Sequence, residues 1–165
     1  MKGFAIAAAL AALPAAWAQG GADWPLYNRD LAGTRYSPLT QINTSNVQNL
    51  KHAWTYRLMP LGGIPDPASP TELFQEVTPI VINGVMYLPA RGNQVLALDG
   101  DTGKEIWRYQ MPPTVTTTAR GVAYWPGEAG IAPRIILTAG PRLLALDAAT
   151  GQPAAGFGRD RKSVV

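Results

Sequence analysis

The chain lacks cysteine altogether and contains a single histidine, His52. Without cysteine this stretch forms no internal disulfide, so its fold must be held together by packing. A lone histidine beside Lys51, with no metal-binding neighbour in the sequence, is typical of a solvated side chain and not of a metal ligand.

Long apolar runs are also scarce, and the one at residues 4–13 is too short to span a bilayer. It follows Lys2 and precedes a small-x-small site that ends at Ala18, which is the order found in secretory signal peptides. We therefore expect residues 1–18 to direct export to the periplasm and the mature chain to begin at Gln19. A membrane anchor is the weaker alternative.

The net positive charge of the chain is small once the charged residues at its two ends are left out. Residues 160–165 interrupt the apolar pattern with a charged hexapeptide, which we interpret as a non-native tail. Without this tail and Lys2, eleven basic residues face ten acidic ones. This balance gives no argument for binding nucleic acid or an anionic membrane. The folded part is expected to be residues 19–159.

What the sequence does have is a motif that occurs twice. Ala-Leu-Asp-x-x-Thr-Gly begins at Ala97 and again at Ala145, 48 residues later. This pitch suits one four-stranded blade of a β-propeller, and no stretch has a sustained helical period. We predict an all-β propeller with about three blades in residues 19–159. Because propellers close with about four to eight blades, we expect the chain to be the amino-terminal part of a longer protein.

Each position of the first copy has a physical interpretation. Asp99 can accept hydrogen bonds from the amides of the following turn, and Gly103 can take the positive φ that closes it. Ala97 is small, which leaves room for a large flat side chain from an adjacent blade, such as Trp107. The second copy has Ala155 at the position of that tryptophan, which puts its docking contact in doubt.

Alternation and turn signals predict the remaining elements. Asn83-Gly84 favours a type I′ turn between two strands, and residues 95–98 are apolar on both faces, as in an inner strand. A short helical turn is expected around residues 44–50, capped by Thr44 or Ser45. A proline- and glycine-rich loop follows at residues 59–70. The predicted strands are residues 51–58, which carry the potential docking indole of Trp54, and residues 79–82, 85–88, 94–98, 104–109, 120–125, 134–138 and 142–146.

The spacing Ala-x-Asp-x-x-Thr-Gly-Lys-x-x-Trp of residues 97–107 resembles the tryptophan-docking motif of the pyrroloquinoline-quinone (PQQ) dependent dehydrogenases. Residues 23–38 also resemble the amino-terminal segment of this family, and residues 75–87 and 119–125 resemble two of its cofactor-site segments, in the family's order. The resemblance implies a periplasmic β-propeller oxidoreductase that uses PQQ together with a divalent cation, usually calcium.

Two site residues follow from this resemblance. Glu76 matches the family's glutamate in Glu-x-Thr-Pro, which hydrogen-bonds the cofactor, and Arg120 matches the arginine that reaches a quinone or carboxylate oxygen of PQQ. Taken alone, each residue would favour the plainer interpretation, with Glu76 a solvated acid before a strand and Arg120 a surface ion-pair partner, and the family context favours the cofactor role. The family's catalytic base and calcium ligands are expected downstream, so we assign no catalytic or metal-binding residue within this chain.

One departure from the family bears on the substrate. Alcohol-oxidising members often carry a vicinal cysteine pair shortly before the Arg-Gly segment, whereas residues 114–119 contain no sulfur. This favours oxidation of a sugar or polyol hydroxyl, with electrons passing to a quinone or cytochrome acceptor. The alternatives are a PQQ-dependent alcohol dehydrogenase and a non-catalytic periplasmic propeller that serves as a scaffold.

Overall fold

The computed structural model describes residues 22–58, 76–90, 92–112 and 120–158. The predicted signal peptide, the loop at residues 59–70 and the predicted tail therefore lie outside the described residues. Within the described ranges, no helix is both long and apolar enough to cross a membrane.

Seven strands form two antiparallel sheets in which neighbours in sequence are neighbours in space. The first sheet has the order β1-β2-β3-β4, and the second has the order β5-β6-β7. The strands are β1 Ile80–Ile82, β2 Val85–Ala90, β3 Gln94–Asp99, β4 Glu105–Gln110, β5 Ala123–Trp125, β6 Arg134–Ala139 and β7 Arg142–Asp147. The predicted all-β propeller class is confirmed, with a four-stranded and a three-stranded sheet in the described residues.

The turn between β1 and β2 is the predicted one. Asn83 and Gly84 have φ angles of 50° and 77°, so both lie in the left-handed region that a type I′ turn requires. Ile82 pairs directly with Val85 across the turn. The Asn-Gly pair therefore fixes the register of the first hairpin.

The first sheet is buried on both faces. One face packs against the second sheet, and Val95 and Ala97 of β3 are fully buried there together with Ile135 and Leu146. The opposite face forms a smaller apolar cluster that contains Leu88, Ala90, Leu96 and Leu98, with Tyr56 and Leu58 packed against it. This confirms that β3 is an inner strand with neighbours on both sides.

A β-bulge interrupts the pairing of β3 with β4. Ala97 pairs with Trp107 and Leu98 pairs with Glu105, so Ile106 is the extra residue on β4. Ile106 is 49% exposed, and the next residue of β4, Trp107, is buried. Because of the bulge, Glu105 lies on the face of the sheet opposite to the one that regular alternation from Trp107 would give it.

Two predictions in the amino-terminal part are wrong in detail. Residues 51–58 do not form a strand, because no other described segment pairs with them. The helical turn is a 3-10 helix, Val47–Asn49, and its N-cap is Asn46, which makes no side-chain capping hydrogen bond. Asn43 and Asn46 instead hold this region through side-chain hydrogen bonds to neighbouring backbone amides and carbonyls.

Candidate functional site

The structure brings together the two segments that carry the predicted cofactor residues. The backbone N–H of Thr78 donates a 2.9 Å hydrogen bond to the carbonyl oxygen of Arg120. A Cβ added at Gly121 would lie 3.3 Å from the carbonyl oxygen of Thr78, so the two chains are in close contact. The lead-in to β1 therefore runs beside the lead-in to β5.

Both predicted residues lie in these lead-ins, at the same end of the two sheets. Glu76 is four residues before β1 and Arg120 is three residues before β5, and both are exposed. A carboxylate and a guanidinium on neighbouring segments provide a hydrogen-bond acceptor and a fixed cation. This donor and acceptor set suits an anionic quinone with several carboxylates, while the contact of either residue with a cofactor stays a prediction.

A buried tryptophan fixes the second sheet against the first. The indole of Trp107 lies on Gly151, where an added Cβ would come within 2.5 Å of its Cε3 atom. Its Nε1 donates a 3.0 Å hydrogen bond to the carbonyl oxygen of Ala148. The predicted burial of Trp107 between sheets is thus confirmed, and its contact surface is the turn of the second motif.

The same arrangement recurs one sheet earlier. The indole of Trp54 lies on Gly103, where an added Cβ would also come within 2.5 Å of its ring. Its Nε1 donates a 3.0 Å hydrogen bond to the carbonyl oxygen of Gly100. The prediction that Trp54 is a docking indole is confirmed.

The docking contact of the second motif, which the sequence put in doubt, is present. The acceptor in each copy is the turn itself, formed by backbone atoms and a glycine with positive φ, at 69° for Gly103 and 71° for Gly151. Because the docking tryptophan comes from the preceding segment, Ala155 does not affect the contact on its own turn. The prediction that Trp107 reaches Ala97 from an adjacent blade is wrong: Trp107 is the partner of Ala97 within the first sheet, and its indole docks on the turn of the next motif.

The motif aspartates hold these turns as predicted. Oδ1 of Asp99 accepts hydrogen bonds from the N–H and the hydroxyl of Thr102, at 2.7 and 2.6 Å. These bonds lower the pKa of the Asp99 carboxyl. Asp147 accepts the same pair of bonds from Thr150, both at 2.9 Å. The two aspartates therefore hold the two motif turns.

Tyr87 joins Trp107 at the junction of the two sheets. Its hydroxyl donates a 3.2 Å hydrogen bond to the carbonyl oxygen of Ala148, which also accepts from Trp107. The two ring centroids are 5.9 Å apart. Burial raises the pKa of Tyr87 to about 12, so its hydroxyl stays protonated and continues to donate. This junction fixes the relative position of the sheets whose lead-ins carry Glu76 and Arg120.

A polar network that sequence reasoning missed lies on the other side of the first sheet. Arg108 donates to both carboxylate oxygens of Glu105, at 3.1 and 2.5 Å, and to the amide oxygen of buried Gln94 at 2.6 Å. It also donates to the hydroxyl of Tyr56 at 2.7 Å, and that hydroxyl donates to Glu105. The bonds from Arg108 hold the pKa of Glu105 below its usual value. The network ties the segment around Tyr56 to β3 and β4.

The described residues contain no group of histidine and acidic side chains that could hold a metal ion. His52 is exposed, and its Nε2 lies 2.8 Å from the hydroxyl of Thr55. The predicted location of the calcium ligands, beyond this chain, stays a prediction.

Comparison with known proteins gives a consistent family. Residues 24–164 match the model of the PQQ-containing β-propeller domain of glucose, ethanol and alcohol dehydrogenases. The quinoprotein glucose dehydrogenase of Escherichia coli (strain K12) is 39% identical over 137 residues, which are 79% of this chain and 17% of that protein. The dehydrogenase subunit of the quinone-dependent alcohol dehydrogenase of Gluconobacter oxydans (strain 621H) is 41% identical over 138 residues, 79% of this chain and 16% of that subunit.

A solved structure supports the same fold. The crystal structure of quinohemoprotein alcohol dehydrogenase from Comamonas testosteroni matches with a TM-score of 0.60 and 38% sequence identity. The match covers 79% of this chain and 18% of that one. The matched part of the chain therefore spans about one sixth of the length of these relatives.

Proposed function

Because the chain belongs to the PQQ-dependent dehydrogenase β-propeller family, we propose that it is the amino-terminal part of a periplasmic enzyme that oxidises a sugar or polyol hydroxyl. The observation that carries this proposal is the hydrogen bond between Thr78 and Arg120, which places the two family-like segments side by side. Two such segments in contact are what a shared cofactor site requires, and a scaffold propeller gives no reason for them.

In this proposal Arg120 supplies a fixed positive charge to an oxygen of PQQ, and Glu76 supplies a hydrogen-bond acceptor at the same site. Bound PQQ would accept the hydride removed from the substrate carbon. The docked indole of Trp107 and the hydroxyl of Tyr87 join the two sheets at Ala148, so the distance between the two lead-ins is set by packing.

The rest of the reaction is assigned to the remainder of the protein. The base that takes the hydroxyl proton, the calcium ligands and the path to a quinone or cytochrome acceptor all belong there in this proposal. This chain would contribute cofactor binding and one part of the ring.

A sugar or polyol substrate is favoured by the absence of cysteine in residues 114–119. The relatives include both a glucose dehydrogenase and an alcohol dehydrogenase at nearly equal identity. A PQQ-dependent alcohol dehydrogenase is therefore the second candidate. Rates with glucose, a polyol and a primary alcohol, measured on the full-length holoenzyme with an artificial electron acceptor, separate the two.

The cofactor role is tested by titrating the full-length apo-protein with PQQ in the presence of calcium and following bound quinone by its absorbance. Arg120→Ala and Glu76→Gln should each weaken PQQ binding by about 1.5–3 kcal/mol, which is roughly one to two orders of magnitude in Kd. Losing a charge-assisted hydrogen bond to a bound anion gives an effect of this size.

Lys104→Ala and Glu128→Gln are the matched controls, since both residues are exposed and follow strands at the opposite end of the sheets. They should leave PQQ affinity unchanged. Wild-type protein that takes up no PQQ would leave the scaffold propeller as the better interpretation. Unchanged affinity in both site variants would remove Glu76 and Arg120 from the site.

A further inference from the structure

The turn between β1 and β2 holds the one Asn-Gly pair of the sequence, Asn83-Gly84. Both residues are exposed, and a Cβ added at Gly84 would have no atom within 4 Å of it. The side-chain carbon Cγ of an asparagine can be attacked by the backbone nitrogen of the next residue, which closes a five-membered ring. Glycine as the next residue leaves the approach to this nitrogen open, because it has no side chain.

Both reacting groups of this pair are free of hydrogen bonds. In the described part of the chain, neither the side-chain amide of Asn83 nor the backbone N–H of Gly84 has a hydrogen-bond partner. The side chain can therefore turn toward the nitrogen without the loss of a native bond. The nitrogen can also give up its proton to solvent without such a loss.

The ends of the turn are fixed, whereas its central peptide group is not. The N–H of Asn83 donates a 2.9 Å hydrogen bond to Oδ1 of Asp23. The carbonyl oxygen of Gly84 accepts a 2.8 Å hydrogen bond from the N–H of Gly100. The strands β1 and β2 are paired up to the turn. The peptide group that joins Asn83 to Gly84 can therefore rotate while the hairpin stays paired.

This rotation leads to the geometry that ring closure needs. The φ angles of 50° and 77° belong to a type I′ turn, and rotation of the central peptide group converts it into a type II′ turn. In a type II′ turn, ψ of the first central residue is about −120°. At this angle the nitrogen of Gly84 is eclipsed with Cβ of Asn83, as it must be in the ring. Gly84 readily takes the negative φ that accompanies the change.

We propose that Asn83 is a site of spontaneous deamidation in the folded protein. The nitrogen of Gly84 loses its proton to hydroxide and bonds to Cγ of Asn83, and the side-chain nitrogen leaves as ammonia. Water then adds to the resulting succinimide and opens one of its two C–N bonds, which gives aspartate or isoaspartate at position 83. No oxidant, metal or PQQ takes part, so the reaction is independent of the proposed function.

The product weakens a contact of the amino-terminal segment. Trp24 pairs with Val81 of β1 through two backbone hydrogen bonds of 2.8 and 3.0 Å, and the preceding residue, Asp23, accepts the bond from Asn83. A new carboxylate at position 83 repels the carboxylate of Asp23. Isoaspartate also lengthens the backbone of the turn by one carbon atom. We expect residues 23–24 to be held less tightly on β1 after the reaction.

An Asp-Gly pair in contact with this turn provides an internal control. Asp99 and Gly100 could form the same ring by loss of water, but the N–H of Gly100 donates to the carbonyl oxygen of Gly84. Oδ1 of Asp99 accepts hydrogen bonds from the N–H and the hydroxyl of Thr102. Both reacting groups are therefore occupied, and we expect no isoaspartate at position 99.

The test is prolonged incubation of the full-length protein in mildly alkaline buffer, followed by digestion and mass spectrometry. We expect the amide at position 83 to be replaced by an acid. The rate should be about ten- to a hundredfold below that of a synthetic peptide of residues 80–87, because positive φ with ψ near −120° is costly for a residue that has a Cβ. Asn46, whose side chain is hydrogen-bonded and which precedes Val47, should remain an amide.

Asn83→Gln is the matched variant, because attack on its side chain would need a six-membered ring, and it should gain no acid at this position. A rate at Asn83 more than about a thousandfold below that of the peptide would overturn the proposal. Equal conversion of Asn46 and Asn83 would also overturn it, since that result would show reaction of unfolded chain.

The weakened contact has its own measurement. After ion exchange separates the acidic form from unreacted protein, amide hydrogen exchange of the peptide that contains Val81 compares the two. Faster exchange in the acidic form supports the loss of the contact at Asp23. Equal exchange in the two forms would overturn this part of the proposal.

Discussion

At the scale of single residues, the glycine of each motif turn matters for two separate reasons. Gly151 has a φ of 71°, and the indole of Trp107 occupies the space where a Cβ would stand. Gly140 has a φ of 59°, but nothing lies within 4 Å of its added Cβ. Both positions require a positive φ, but only Gly151 is in contact with an aromatic ring.

Alanine at these two positions separates the contributions. Gly140→Ala is expected to lower the free energy of unfolding by about 1–2 kcal/mol, the cost of left-handed backbone for a residue with a Cβ. Gly151→Ala should lower it by about 1–3 kcal/mol more, because the methyl group forces the indole out of its place. Denaturant unfolding of the full-length protein, followed by tryptophan fluorescence, measures both. Equal losses in the two variants would mean that the indole contact contributes nothing.

At the scale of elements, the bulge in β4 decides where the polar network lies. In a regular strand, residues three apart lie on opposite faces, so Glu105 and Arg108 would not meet. The extra residue Ile106 changes the parity, and Glu105 and Arg108 come to the same face, where they reach Tyr56 and Gln94. One inserted residue thus converts two separate charges into a partly exposed link between a strand and a neighbouring segment.

This link should be sensitive to acid. The pKa of Glu105 is lowered in the folded chain, chiefly by its hydrogen bonds from Arg108, so its stabilisation is complete above the unfolded pKa, near 4.5. It is lost as pH falls through the lower folded pKa. We expect the free energy of unfolding to decrease less between pH 6 and pH 3 in Glu105→Gln than in the wild type. Urea unfolding across this range measures it, and the exposed Glu128→Gln should keep the wild-type pH profile.

The elements also show what could be predicted from the sequence and why the rest could not. Asn83-Gly84, the motif aspartates and the apolar run of β3 are local signals, and the structure has the predicted turns and inner strand there. The bulge has no local signal, because Ile106 reads as an ordinary strand residue. The polar network that depends on this bulge could therefore not be predicted from the sequence.

The site was predictable only in part. The matching segments identified Glu76 and Arg120, and their separation of 44 residues, close to one blade pitch, predicted equivalent positions on adjacent blades. The backbone bond between Thr78 and Arg120, which joins the two segments, has no signal of its own in the sequence. Residues 51–58 have the composition of a strand, yet strand structure also requires a partner. A pattern in one segment carries no information on whether that partner is present.

At the scale of the whole molecule, export to the periplasm is a prediction that stands apart from the fold. Expression of the full-length gene in a Gram-negative host should give a periplasmic protein whose amino terminus is Gln19, as read by amino-terminal sequencing. Ala18→Trp is the matched control, because signal peptidase needs a small residue at the cleavage site, and it should accumulate uncleaved precursor. Wild-type protein that retains Met1 in a membrane fraction would contradict the prediction.

The docked tryptophans give the assembly of sheets a direction. Each contact is heterologous: one sheet or segment provides an indole, and the next provides a turn that receives it, so no surface is complementary to itself. Head-to-tail contacts of this kind form a closed ring when the rotation from unit to unit completes a circle. When it does not, the contacts continue from molecule to molecule and form an open fibre. We therefore expect closure of the ring in the full-length protein to protect it against polymerisation, since a closed ring would leave no indole and no receiving turn unpaired.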